Sequence, residues 1–103
     1  LKESVNIVMQ STPKHLDISN IRLKIESLPE VYNLHHIHAW NLSDRDVYFE
    51  AHVELTEDIK LSQVKSIQER IEKLLKKKFN IHHTTLQFEY DPKHDKKLIY
   101  KEV

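Results

Sequence analysis

The sequence predicts an α+β domain of order α-β-β-α-β, and three observations predict it. Two stretches carry apolar residues at helical spacing, three carry them at alternate positions, and two strand-like stretches precede the second helix while one follows it. Two amphipathic helices on one face of a three-stranded sheet would bury these apolar faces together and leave the other sheet face open. A chain of 103 residues has room for one such domain and not for two.

Residues 1–16 show no clear period and are interrupted by Pro13, so they read as a lead-in with a short extended piece, Val5 to Met9. Asp17 is placed to cap a helix whose Ile18, Ile21, Ile25 and Leu28 form one stripe, ended by Pro29. Leu34 to Leu42 reads as a strand with Ile37 and Ala39 on one side and His36, His38 and Trp40 on the other. Ser43 to Asp46 supplies a hairpin loop. The chain has no glycine, so its turns must rely on Asn, Asp and Ser.

Val47 to Leu55 alternates cleanly, with Val47, Phe49, Ala51, Val53 and Leu55 facing one way and Tyr48, Glu50, His52 and Glu54 the other. The spacing of Val64, Ile67, Ile71, Leu74 and Leu75 predicts a long helix over Leu61 to Phe79. Lys76, Lys77 and Lys78 in its last turn complement the helix dipole, and Asn80 can take the left-handed conformation that stops it. A last strand is expected over His82 to Tyr90, with Thr84, Leu86, Phe88 and Tyr90 opposite His83, Thr85, Gln87 and Glu89. The folded domain therefore covers 17–91, and 92–103, polar and opening on Pro92, is expected to be a loose tail.

Composition removes several classes of function. Sixteen basic residues balance sixteen acidic ones, so no basic field is available to hold nucleic acid. With no cysteine there is neither a disulfide framework nor a thiolate metal site. No apolar run approaches the ~20 residues that span a bilayer. Leu1 to Gln10 lack the features of a signal peptide, so the chain reads as soluble and intracellular.

Eight histidines in 103 residues are the anomaly. The alternation gathers His36, His38 and Trp40, then Glu50, His52 and Glu54, then His83, Gln87 and Glu89 on the open face. Imidazole and carboxylate without sulfur suit a divalent ion such as zinc, and strands ~4.8 Å apart let neighbouring side chains converge on it. His94, alone in the tail, reads as an ordinary solvated side chain.

The stretches SVNIVMQSTPKHLDI, LHHIHAWNLS, YFEAHVEL and FNIHHTTLQFE, in that order, resemble the cytosolic domain of cation diffusion facilitators from Ser4 to Glu89. The resemblance implies an αββαβ metallochaperone-like (ferredoxin-like) fold that dimerises and binds divalent metal, usually zinc. It implies a covalently linked six-helix membrane unit exchanging that cation for protons, with this chain beginning just after the last membrane helix. Carried over position by position, it makes His35, His52, His82 and Glu89 one mononuclear site. Where many relatives have Asp after the first histidine, this chain has His36. Strand parity instead puts His36 and His83 beside His52 and Glu89, so these two remain alternates. His38 and His15 are candidates for a second or shared ion, and Trp40 for packing or a dimer contact.

Metal at such a site would relieve repulsion between subunits and displace histidine protons, so affinity should fall as pH drops through about 6.5. An enzyme is disfavoured, because no HExxH helix and no recognisable Ser or Cys nucleophile occurs. The remaining alternative is a free-standing metal-binding or small-ligand sensor module of ferredoxin-like fold. RNA binding on such a sheet is opposed by Glu50, Glu54 and Glu89 around its aromatic residues.

Overall fold

The structure, a computed structural model, describes residues 7–8 and 16–95. Its element order is β1 (Ile7–Val8), α1 (Ile18–Glu26), β2 (Val31–Asn41), β3 (Val47–Leu55), α2 (Leu61–Phe79), β4 (His83–Tyr90) and a 3₁₀ turn, Pro92–His94. The sheet order is β1-β2-β3-β4. β2 and β3 form an antiparallel hairpin, while β4 returns parallel to β3 after the α2 crossover. The three expected strands are all present, and the extended piece in the lead-in adds a two-residue parallel fourth at the β2 edge.

Local chemistry sets the helix ends. Asp17 accepts a hydrogen bond from the Asn20 amide at 3.1 Å, which satisfies one free donor of α1. α2 stops at Asn80, whose φ of 57° and ψ of 38° are the left-handed geometry in which Asn replaces the missing glycine. Arg70 on α2 grips Glu30 at 2.6 Å and ties the helix to the turn that leads into β2.

The core lies between the helices and one sheet face. Ile21 and Ile25 of α1, Ile67, Ile71 and Leu75 of α2, and Phe49, Ala51 and Val53 of β3 are among its buried residues. β2 contributes Val31, Leu34, Ile37 and Ala39. The intervals 31–34 and 34–37 are odd, so strict alternation cannot bury all four.

β-Bulges resolve the conflict. Val31 pairs with Leu55 but Asn33 with Glu54, and His35 pairs with His52 but His38 with Glu50. In each interval β2 carries one residue more than β3, and the extra residues are Tyr32 and His36. His36 takes φ 51°, a left-handed conformation uncommon outside glycine and most often filled there by Asn, Asp or His. The bulges also explain why β2 starts at Val31 and not at Leu34: without alternation, Val31 to Asn33 carries no strand signal.

Two expectations at the chain's end need correction. β4 begins at His83, with His82 outside it. Residues 92–95, expected in a loose tail, form the 3₁₀ turn and dock on the sheet: His94 contacts Glu54 and Tyr90 donates to Asp95 at 2.6 Å. Residues 96–103 lie outside the described residues.

Candidate metal centre

Strand register arranges the open face in rows. Trp40, Tyr48 and His83 form one; His38, Glu50 and Thr85 the next; then His35, His52 and Gln87; then Asn33, Glu54 and Glu89. The second bulge lets His35 and His36 both occupy this face while Leu34 and Ile37 stay in the core. That is the physical reason strand parity misplaces His35: alternation assumes one residue per rung, and this interval has one too many.

His35, His36 and His52 come together. One ligating nitrogen from each lies within 4.8 Å of the others, and ring centroids are 5.0 Å apart for His35–His36, 5.5 Å for His35–His52 and 4.7 Å for His36–His52. Glu89, from β4, touches two of the three: Oε1 lies 2.9 Å from His35 Nε2 and Oε2 lies 2.5 Å from His52 Nδ1. Imidazoles from two strands and a carboxylate from a third therefore converge.

Two details test whether a divalent ion suits this set. His35 Nδ1 donates to Asn33 Oδ1 at 2.8 Å, which fixes the ring and leaves Nε2 facing Glu89, as outer-shell partners of metal-binding histidines do. His52 Nδ1 is buried, and its close approach to Glu89 lacks hydrogen-bond alignment, so it has no hydrogen-bond partner among the described residues. A ring nitrogen and a carboxylate oxygen brought this close fit ligands of one cation. The donor set fits.

The other candidates sit elsewhere. His38 Nδ1 pairs with Glu50 at 3.3 Å, one row away. His82 is exposed and its Nε2 lies 2.9 Å from Asn80 Oδ1. His83 is 3.7 Å from Asp46. From His83 to Glu89 an extended strand runs roughly 20 Å, so neither His82 nor His83 can share an ion with Glu89 inside one chain. The structure thus brings His35, His36 and His52 together with Glu89 beside two of them, and sets His82 and His83 at the other end of β4. His15 lies outside the described residues. Trp40 packs on Tyr48, centroids 4.5 Å apart. Asn33 was not singled out by sequence; its only signal is its place two residues before His35.

The comparisons agree on a single family. Residues 13–91 match the family model described as cation efflux protein, cytoplasmic domain. The chain is 34% identical over 95 residues to the zinc transporter ZitB of Shigella flexneri, covering 91% of this chain and 29% of that protein. It is 31% identical over 88 residues to the cadmium, cobalt and zinc/H(+)-K(+) antiporter of Bacillus subtilis (strain 168), covering 85% of this chain and 28% of that protein. The chain thus spans under a third of the length of these relatives. The metal-bound C-terminal domain of the CzcD transporter of Cupriavidus metallidurans superposes with a TM-score of 0.62 at 27% identity, over 72% of this chain and 99% of that one.

Proposed function

This chain belongs to the cation efflux protein family as its cytoplasmic domain, and from that premise we propose that it binds zinc to regulate a divalent-cation/proton antiporter. Its relatives are transporters and not enzymes. The observation that carries the reading is the convergence of His35, His36 and His52 with Glu89. Zinc is favoured because the donors are imidazole nitrogens and one carboxylate oxygen, with no sulfur.

Each residue has a part. Asn33 orients His35. Glu89 supplies the negative charge that an ion must find once the histidines are neutral. His35 and His52, opposite each other on adjacent strands, fix the separation of the site. When loaded, the site gives up histidine protons and gains a shared positive centre. The domain acts as a homodimer attached to a transmembrane unit, and loading cancels repulsion between the His- and Glu-rich faces of two subunits. A closed arrangement that alone binds the ion is then populated at the expense of an open one.

Zinc titration of the wild type against His52→Ala, by calorimetry with small-angle scattering, tests this. The wild type should bind zinc with a change in dimer geometry, and His52→Ala should lose both. Equal affinity in the two proteins removes the site; binding without any change in scattering removes the regulatory role.

A further inference from the structure

One row beyond the histidine centre lies a second group of ligating side chains. Glu54 stands between Asn33 and Glu89 in register, and the turn after β4 brings Asp91 and His94 to it. One oxygen from each of Glu54 and Asp91 and one ring nitrogen of His94 lie within 4.8 Å of one another. Glu54 is only 7% exposed. A carboxylate so buried is costly unless positive charge accompanies it, and the adjacent Glu89 and Asp91 add to the negative field. Its partner is Nδ1 of His94.

The surroundings hold this group in place. The His94 ring stacks on Tyr32, with centroids 4.2 Å apart and planes 6° from parallel. Tyr32 is the extra residue of the first bulge, so that irregularity places the ring on which His94 rests. Asp91 Oδ1 accepts from the Lys93 amide at 3.0 Å, and Tyr90 Oη donates to Asp95 Oδ2 at 2.6 Å, which braces the turn. Both bulges of β2 thus deliver one extra side chain to a cluster of ligating groups.

The geometry points to a second divalent-cation site formed by Glu54, Asp91 and His94, sharing no ligand with the histidine centre. Two carboxylates balance a dication, and one imidazole gives the site a borderline character. An oxygen-richer set accepts ions such as Mn²⁺ that keep water ligands, whereas the imidazole-rich centre leans towards zinc. Occupation fastens residues 91–95 to β3. The site stands independently of the zinc reading above, since neither set needs the other.

Mn²⁺ titration of the 103-residue chain, following the free-ion signal by electron paramagnetic resonance, tests the assignment. His52→Ala, which disables the histidine centre, should leave one Mn²⁺ bound per chain. Adding Asp91→Asn, which can still cap the turn, or His94→Gln should weaken that binding at least about tenfold. A thermal midpoint by circular dichroism shared with the His52→Ala parent shows that the fold is kept in Asp91→Asn. Binding that is unchanged by both added substitutions, or no saturable Mn²⁺ binding to the His52→Ala chain, overturns it. Loss of Mn²⁺ on His52→Ala alone overturns it too, by placing the ion in the histidine centre.

Discussion

His35 stands directly opposite His52 across β2 and β3, and the two oxygens of one carboxylate, Glu89, reach both rings. The pair is held by a sheet whose register is locked by Leu34, Val53, Ile37 and Ala51 in the core beneath. Little rearrangement within the subunit is needed to gather ligands.

Asn33 is the first test of that preorganisation. Asn33→Ala removes the acceptor that fixes His35 and replaces no ligand. Zinc affinity, measured by competition with a chelating dye, should fall roughly 10–100-fold, with the unfolding midpoint little changed. Asn33→Asp, which keeps an acceptor, should restore most of the loss.

His36 tests the bulge. With φ at 51°, a β-branched side chain there meets the backbone, so His36→Val should destabilise the fold by about 1–2 kcal/mol. His36→Asn, suited to left-handed geometry, should cost far less. Urea unfolding checks both, with the slope expected to stay constant.

Tyr90 gives a pH signature in the alkaline range. Its hydrogen bond to Asp95, helped by burial, pushes the phenol up to about 12 from 10.0. An acid whose folded-state pKa is raised adds stability that is whole below the unfolded value and lost as pH rises through the folded one. Tyr90→Phe should therefore be less stable than the wild type below pH ~10, and the difference should vanish by pH ~12. Denaturant midpoints across that range check it.

Phe49 tests the core that holds the register. It is fully buried in the first half of β3, and Phe49→Ala should cost about 3–5 kcal/mol. Small domains have about 5–15 kcal/mol in all, so weaker zinc binding should accompany partial unfolding seen by circular dichroism.

The regular parts of this fold were legible in the sequence. α2 runs over Leu61–Phe79 as its apolar spacing predicts, and every residue of β3 from Val47 to Glu54 has the facing that alternation assigns. β2 resisted because two inserted residues break a period of two, and nothing local announces a bulge at His36. The family resemblance names His35, which parity puts on the other face and which the register sets opposite His52. His94 was misjudged for a different reason: its partners, Glu54 and Tyr32, are distant in sequence, and only the docked turn brings them together.

The extra residue at position 36 has one more consequence. Excise it, and His35 and Ile37 become neighbours facing opposite sides, opposed to His52 and Ala51 in a ladder unbroken from Asn33 to Asn41. The core would notice nothing. One imidazole has in effect been spliced into a strand that is complete without it, so the chain can gain or lose a ligand here by a single-codon change in length while its architecture stays whole.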